Sequence, residues 1–429
     1  MSDARGLIVL MLLHGGVALA CAPLPQADLV ALRLDTALAR VADCHPDVRT
    51  ASASVAAATA DVRTAAQRPN PLLTLGAGNL SHDLGSGSLW NKTFDHQVRV
   101  DQLLERGDKP ALRQAVAQWQ QRATRADAAD ALRQAKLAVA GAYFDLAAAL
   151  SRRRELAAAV ALNEESQRAL ERRAQAGDAA PLDATRFGLD ATRGQADLSQ
   201  AAADVRTMRV QLARLIGVDD QIDALTPLPD YTAPTLSLDD LADAIERRPD
   251  VVAARLRVSA ADQALALASA QRTRDIGMGV GLSHYPVSPT NMSGTGNTVS
   301  LSVSMPLFVQ HAYEGEIARA QADLGTAQEQ LRRVRTAAQA ELTRIRIDWQ
   351  AATARYRLVN EQLVPSAERI AAGAELAYRR GASGVLDVLD ARRSLRAALL
   401  ERVTAQADRD RSAAQLQLML ESLEAPATP

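Results

Sequence analysis

The chain is poor in aromatic side chains and in cysteine, and it has no excess of either charge. Phe, Trp and Tyr make up 3% of its 429 residues, and Ala, Leu, Arg and Gln dominate the composition, as is typical of long helices in coiled-coil packing. A large aromatic-lined pocket is therefore not expected. The 49 basic and 50 acidic side chains give a formal net charge of −1, so no global field attracts nucleic acid or an anionic membrane surface.

Motifs for catalysis and for metal binding are also missing from the sequence. The six histidines show neither i,i+4 pairing nor a recognised spacing with carboxylates, and the two cysteines, Cys21 and Cys44, stand 23 positions apart. There is no glycine-rich loop of the P-loop form and no G-x-S-x-G elbow. We therefore expect no enzyme activity, no cofactor and no structural metal site.

The first twenty residues have the features of a secretory signal, namely Arg5, an apolar stretch from Leu7 to Leu13, and the small-residue sequence Ala18-Leu19-Ala20. A buried N-terminal helix or a membrane anchor is the alternative, although a bilayer-spanning helix needs ~20 apolar residues. Cys21 follows directly, and Ala-Leu-Ala-Cys resembles a bacterial lipoprotein signal. Cys21 is therefore a candidate for lipidation, which would leave one thiol and no disulfide framework.

An internal repeat divides the mature chain. His45-Pro46-Asp47-Val48 resembles Arg248-Pro249-Asp250-Val251, 203 positions later, and a similar offset relates Gly177 to Gly381 and Asp183 to Asp387. Such a period is too long for a solenoid unit and indicates duplication of one large element. We predict five regions, which are a signal peptide (1–20), a first repeat (21–216), a proline-interrupted linker or equatorial segment (217–237), a second repeat (238–422) and a tail (423–429).

Each repeat is predicted to contain a helix, two strands, a long helix, a turn and a helix. Apolar and Ala positions step by three and four from Leu132 to Val160 and from Ile317 to Trp349, which is the spacing of a coiled-coil seam. A helix from Asp108 to about Ala176 would extend ~100 Å at ~1.5 Å per residue. Pro365 should kink or restart the matching helix of the second repeat.

The strands are predicted at about 72–80, 96–104, 276–285 and 297–307. From Val299 to Met305, apolar side chains alternate with serines, which suits a wall between lipid and water. A soluble antiparallel sheet with one wet face is the alternative. Four strands cannot close a barrel, and the unpaired backbone groups at the two edges of an open sheet are energetically unfavourable in lipid. Entry into a membrane therefore requires an oligomer, and three copies would supply twelve strands.

Several motifs resemble those of the TolC-like outer-membrane efflux family over nearly the whole mature chain. They are the sequences at 246–251 (ERRPDV), 212–217 (LARLIG), 378–381 (YRRG) and 385–391 (VLDVLDA). Pro69-Asn70-Pro71 and the sequence at 104–109 (LERGDK) are similar to the branch that serves heavy-metal cation pumps, the CzcC-like proteins. Arg106 replaces a glycine of that branch's pattern.

The resemblance implies a mainly α fold with a small β part, organised as a homotrimer in the bacterial outer membrane. A twelve-stranded β-barrel in outer-membrane lipid would continue into a long periplasmic α-helical barrel. The closed periplasmic tip would open through a periplasmic adaptor protein and an inner-membrane RND transporter, and the channel would need no cofactor.

The same resemblance places the gate at the helix turns. Asp387 and Asp390 are i and i+3, so they share one helical face, and three copies would bring six carboxylates to one constriction that favours cations. An exposed acidic face at a helix start is the alternative. Asp183 stands at the equivalent turn, three residues before Arg186, with which an ion pair is expected. Tyr378, Gly381 and Gly177 are predicted to form the turns and the adaptor contact, and Ser383 stands where some members have arginine.

Two other functions remain open at this stage. The outer-membrane channel of a type I secretion or multidrug system uses the same architecture with a different cargo. A secreted structural coiled-coil protein without a pore belongs to a different class, and it predicts no β-structure.

Overall fold

The computed structural model describes residues 21–80, 82, 88, 92–177, 180–228, 231, 245–288, 291–293 and 296–424. The predicted signal peptide at 1–20, most of the second half of the predicted linker and the last five residues lie outside this set. Among the described residues, no helix is both long enough and apolar enough to cross a membrane.

Helices make up most of the described chain, with two strands inserted in each half. In chain order the elements are α1 (Gln26–Val30), α2 (Leu34–Ala39), α3 (Val41–Cys44), α4 (Pro46–Ala66), β1 (Leu72–Gly78), β2 (Asp95–Leu104), α5 (Lys109–Gln175), α6 (Pro181–Ile216), a 3-10 turn (Asp219–Ala224), α7 (Pro249–Ala270), β3 (Ile276–Tyr285), β4 (Gly296–Ser304), α8 (Glu314–Leu358), a π turn (Val359–Leu363), α9 (Val364–Arg379) and α10 (Val385–Glu424).

The seams predicted from sequence are the buried stripes of the long helices. Helix α5 has 67 residues, and it buries Ala135, Val139, Leu146, Leu156 and Val160. Helix α8 likewise buries Ala338, Leu342 and Ile345, against which Trp349 packs. Small and branched side chains repeating every three or four residues therefore form one packed face on each helix.

Pro365 restarts the helix of the second half, as predicted. Helix α8 ends at Leu358, the next five residues form a π turn, and Pro365 occupies the first turn of α9. Proline has no N–H to donate to the carbonyl of Glu361, four residues earlier, and its ring crowds that carbonyl. The wider π turn accommodates this defect while the chain keeps its helical direction.

The four strands form one antiparallel sheet in the order β1-β2-β3-β4. The register pairs Leu75 with Val98, Val98 with Leu282 and Leu282 with Val299, so these apolar side chains of the four strands share one face. Leu72 and Leu103 lie on the other face, with Asp101 and Gly277. Gly and Ser occupy much of the opposite face in β3 and β4. Strand β4 ends at Ser304, earlier than predicted, because Pro306 has no N–H for ladder pairing.

The chain divides into two compact units. One contains Met1–Arg49, Ala135–Ala233 and Ala352–Arg411; the other contains Thr50–Gln134, Pro234–Ala351 and Ser412–Pro429, including the sheet. In the second unit, the Arg-Pro-Asp motif starts α7. Arg248 is buried, donates to both carboxylate oxygens of Asp250 at 2.9 Å, and reaches Glu341 at 2.5 Å. Pro249 at the first turn needs no N–H partner, so the motif builds a helix start.

Lys109 fixes the start of α5 within the same unit. Its Nζ lies 2.8 Å from both carboxylate oxygens of Asp275, and the backbone N–H of Arg106 also donates to this carboxylate. Burial raises the pKa of Asp275, but these hydrogen bonds together with the two positive charges lower it by more, so the pKa lies below its ordinary value. The start of β3 is thereby joined to the start of the longest helix.

A disulfide joins Cys21 to Cys44 in the first unit, with the two Cα atoms 5.6 Å apart. Gly217 ends α6 at φ +68°, and a side chain there would press on both cysteines. The structure therefore differs from the expectation of a lipidated Cys21 without a disulfide, because one sulfur atom cannot carry both bonds. Sequence spacing did not reveal the pairing, since it depends on how α1 to α3 pack against the end of α6.

Candidate functional site

The turns between the long helices meet in one apolar cluster in the first unit. Gly177 follows the end of α5 and Ala180 precedes α6, and the turn at 380–384 joins α9 to α10. Side chains from both hairpins pack together in what we call the tip cluster: Leu170, Ala184, Phe187, Val385, Val388 and Leu389, with Tyr378 packed against them. The structure therefore brings the two predicted turns to one place, and Tyr378 contributes its ring to that packing.

Both predicted glycines adopt the left-handed backbone conformation. Gly177 has φ +82° and Gly381 has φ +73°. At the second turn, the N–H of Gly381 donates to Tyr378 O and the N–H of Ala382 donates to Ala377 O, which is the Schellman arrangement. A Cβ atom at either glycine would meet no neighbour within 4 Å, so backbone conformation alone requires glycine here.

The acidic pair lies at the start of α10. Asp387 and Asp390 are exposed, whereas Val388 and Leu389 between them are buried in the tip cluster. Asp387 Oδ2 accepts a hydrogen bond from the Gly384 N–H at 3.2 Å, as carboxylates do at helix N-termini. Both carboxylates therefore face away from the cluster on one side of the helix.

The first hairpin has a different electrostatic character. Asp183 and Arg186 form the expected ion pair, with Arg186 Nη1 and Asp183 Oδ1 3.2 Å apart. The charge of Asp183 is thus locally balanced. At the start of α10, Asp390 interacts electrostatically with Arg393, three residues later, and Asp387 accepts a backbone N–H.

Polar contacts between the hairpins were not predicted from sequence. Arg393 of α10 donates to both oxygens of Asp190 on α6, at 3.0 and 2.6 Å, and Asp190 is buried. The hydrogen bonds to Asp190 raise the pKa of Arg393, and burial lowers it by less. Arg392 donates to Glu375 and to Ser166 Oγ at 2.8 Å, and its guanidinium lies 5.6 Å from the Phe187 ring centre.

The repeat in the sequence does not mark these contacts. Asp190 and Arg393 stand 203 positions apart, whereas the offset that relates Asp183 to Asp387 in this part of the chain is 204, so the two residues are not equivalent positions. The contacts of Arg392 with Glu375 and Ser166 have no sequence signal either.

The sheet in the second unit presents two chemically distinct faces. One is apolar and exposed: Leu301 is 82% exposed, Val303 73% and Leu75 71%. The other carries Arg99, which forms an ion pair with Asp101 at 2.8 Å and donates to Ser302 Oγ at 2.6 Å. A Cβ atom at Gly279 would overlap this cluster, so glycine here gives the polar side chains room to lie flat on the sheet.

No group of three or more His, Cys, Asp or Glu side chains with metal-binding geometry occurs within the described part of the chain.

Comparison with known proteins identifies the family. Residues 37–218 and 241–421 each match the family model described as outer membrane efflux protein. The chain belongs to the outer membrane efflux protein family. The family match confirms the resemblance found in the sequence, and with it the interpretation as a passive efflux channel of the outer membrane that is not an enzyme.

Members of the outer membrane efflux family are similar to this chain over most of their length. Cobalt-zinc-cadmium resistance protein CzcC of Cupriavidus metallidurans is 22% identical over 382 residues, 86% of this chain and 85% of that protein. The outer-membrane channel OprN has a TM-score of 0.76 at 20% identity, covering 90% of this chain and 89% of OprN. VceC of Vibrio cholerae has a TM-score of 0.71 at 22% identity, covering 91% and 95%. These structures show that the fold is that of TolC-like channels.

Proposed function

We propose that three copies of this chain form the outer-membrane exit duct of a tripartite efflux system that exports heavy-metal cations. The observation that carries the proposal is the four-stranded sheet, whose exposed apolar face and two unpaired edges suit a segment of a larger barrel in lipid. The helical units supply the periplasmic part of the duct and its gate.

The trimer follows from the edges of the sheet. Among the strands that the structure describes, β1 and β4 each have a neighbour on one side only. In lipid, each unpaired backbone group costs several kcal/mol, so an isolated sheet of this kind is excluded from the bilayer. Pairing β4 of one copy with β1 of the next satisfies these groups, and three copies give twelve strands, within the range of outer-membrane barrels.

The partners and the cargo are inferred from the family and from one relative. A duct without an energy source needs an inner-membrane transporter of the RND type, and a periplasmic adaptor must connect the two. The relative CzcC is named for resistance to cobalt, zinc and cadmium. Heavy-metal cations are therefore the cargo that we propose for this chain.

The acidic pair at the start of α10 supports a cation pathway. Asp387 and Asp390 are exposed, and both lie on the side of the helix that faces away from the apolar tip cluster. Three copies would present six carboxylates around one constriction, and rings of carboxylates favour cations over anions. Asp183 would contribute less because Arg186 balances its charge.

The first experiment measures assembly and selectivity. The protein is extracted from outer membranes in mild detergent, its mass is determined, and its conductance is recorded in planar bilayers under a salt gradient. We expect a trimer with cation-selective pores, and the double variant Asp387→Asn, Asp390→Asn should shift the reversal potential towards zero. Glu368→Gln, which removes an exposed carboxylate from α9, should leave it unchanged.

Each part of the proposal has its own contradicting result. A monomer without conductance would exclude the proposal of an exit duct. A conducting trimer whose cation selectivity does not change in the Asp387→Asn, Asp390→Asn variant would exclude only the proposed ring of carboxylates. For the cargo, a strain that lacks the gene should become sensitive to cobalt, zinc or cadmium salts. Sensitivity to drugs alone, or loss of a secreted protein, would indicate the multidrug or type I secretion alternative.

A further inference from the structure

A bend that follows β4 exposes apolar side chains at one end of the sheet. Leu307 is 71% exposed and Val309 is 83% exposed, and the half-buried Phe308 lies between them in the sequence. The N–H of Val309 donates to Leu307 O at 3.0 Å, so the backbone turns tightly at Phe308. Most of the surface of Leu307 and Val309 is open, which makes both side chains available to an apolar partner.

Two arginines that precede β3 pack against this bend. The guanidinium of Arg274 lies 5.5 Å from the centre of the Phe308 ring, and Arg272 Nε donates to Ala312 O at 3.1 Å. Both arginines are exposed, and neither forms an ion pair with the described residues. Because a guanidinium carries several N–H donors, most of those of Arg272 and Arg274 remain available to a ligand. We call Arg272, Arg274 and residues 307–309 the basic bend.

Positive charge is concentrated at this end of the sheet. Four exposed arginines flank the strands here, namely Arg68, Arg106, Arg272 and Arg274. Two carboxylates of the same segments are neutralised by ion pairs, Glu105 with Arg113 at 2.7 Å and Asp275 with Lys109 at 2.8 Å. Exposed carboxylates at Asp108 and in the first turn of α8 do not pair with the four arginines in the described structure. At the opposite end, the connections between β1 and β2 and between β3 and β4 contain no arginine and a single lysine.

An anionic phospholipid matches this combination of cationic and apolar groups. Its phosphate accepts hydrogen bonds from the planar fork of a guanidinium, and its acyl chains cover apolar side chains such as Leu307. Arginine at a lipid–water boundary keeps its stem on apolar surface while its charge reaches the headgroups. Aromatic side chains flank the apolar band of outer-membrane barrels, where Phe308 would lie. Inorganic phosphate or nucleic acid would satisfy the arginines but would leave Leu307 and Val309 in water.

We propose that the basic bend binds the headgroup of an anionic phospholipid, and the part of its acyl chains next to the headgroup, in the periplasmic leaflet of the outer membrane. The leaflet follows from the direction of the chain, because α5 and α8 begin at this end of the sheet and the helical part of such channels is periplasmic. Arg68 and Arg106 add positive charge at the same end. The inference rests on the proposed placement of the sheet in lipid, and it is independent of the cargo and of the acidic pair at the start of α10.

The test titrates the full-length chain in a non-ionic detergent with phosphatidylglycerol, and separately with phosphatidylcholine of the same acyl chains. Native mass spectrometry counts the bound lipid. The native chain should prefer phosphatidylglycerol. One arginine near an anionic lipid surface contributes about fivefold in affinity, so the double variant Arg272→Gln, Arg274→Gln should lower this preference by roughly 25-fold. The variant Arg272→Lys, Arg274→Lys keeps both charges and should retain most of it.

Three controls separate a lipid site from general attraction of anions. Arg319→Gln removes an exposed arginine of α8 that lies 3.9 Å from Asp323, and it should leave the preference unchanged. Leu307→Ala with Val309→Ala should weaken the binding of both lipids by the same factor, because only the arginines distinguish the headgroups. Inorganic phosphate, added at matched ionic strength, should not displace phosphatidylglycerol.

Equal binding of the two lipids by the native chain, or a preference that persists in Arg272→Gln, Arg274→Gln, would overturn the proposal. Displacement by inorganic phosphate would also overturn it and would indicate a site for free anions. The same spectra report the oligomeric state, which separates this inference from the proposed duct. A trimer without a lipid preference would contradict only the lipid site, whereas a monomer that prefers phosphatidylglycerol would contradict only the trimeric duct.

Discussion

A lysine at Leu301 should prevent insertion of the sheet, whereas a lysine at the preceding Ser300 should not. Leu301 is the sixth of nine residues in β4, lies opposite Val280 and is 82% exposed on the apolar face. A lysine facing lipid at the bilayer midplane costs ~2–4 kcal/mol per chain, hence ~6–12 kcal/mol for a trimer. This cost is comparable to the ~5–15 kcal/mol that stabilises a typical folded protein.

Ser300 is the matched control because it lies one position away on the opposite face. Its register partner is Gly281, which has no side chain, so a lysine there has room and would face water in a closed barrel. The assay is the fraction of chain recovered from outer membranes as heat-resistant trimer, together with the urea concentration that releases it from lipid vesicles. We expect little trimer for Leu301→Lys and near-normal trimer for Ser300→Lys.

The reverse ranking of the two variants would show that the apolar face does not meet lipid, and equal yields would show that the sheet is not in the bilayer at all. Either result would refute the assignment of the two faces. A parallel Leu301→Ala variant distinguishes the effect of charge from loss of the leucine side chain, and it should retain most of the trimer.

Three further predictions concern the rest of the molecule. Arg393→Met leaves Asp190 buried without its partner and should destabilise the protein by ~1–3 kcal/mol, seen as faster hydrogen exchange at the helix turns. Alkylation of the unreduced protein should label neither cysteine, whereas Cys44→Ser should expose one reactive thiol and lower stability by ~3 kcal/mol for a loop of this length. Asp275→Asn should destabilise the protein at neutral pH, because the lowered pKa of Asp275 contributes stability above about pH 4. Denaturant titrations should show the difference in unfolding free energy between the native protein and the variant becoming smaller as the pH falls below that value. Unchanged hydrogen exchange in Arg393→Met would contradict the first prediction, and a lipid-modified Cys21 would contradict the second. An effect of Asp275→Asn that is independent of pH would contradict the third.

The parts of the fold that the sequence predicts are those with local causes. The alternation from Val299 to Met305 follows from the period of two in a strand, and the register preserves it across all four strands. Pro365 interrupts a helix because its own ring removes a donor, which no distant residue can restore. The position of Gly381 follows from the backbone conformation that its turn requires.

The contacts that sequence analysis missed depend on which elements are neighbours in space. Cys21 and Cys44 pair because the short N-terminal helices bring them to the end of α6, at Gly217. Arg392 reaches Ser166 across 226 positions, and no local pattern marks either residue. Such contacts require the packing of the hairpins, which motif spacing does not specify.

The glycine and serine face of the sheet has a consequence for transport through the channel. Gly277, Gly279 and Gly281 carry no side chain there, and Ser300 and Ser304 carry a single hydroxyl each. In a ring of twelve strands, β3 and β4 would therefore project very little into the bore, and Arg99 and Asp101 of β2, which lie flat over Gly279, would line it. The electrical resistance of the duct would then be concentrated at the helix turns, so substitutions that widen the strand region should leave unit conductance unchanged while changes beside Asp387 should alter it.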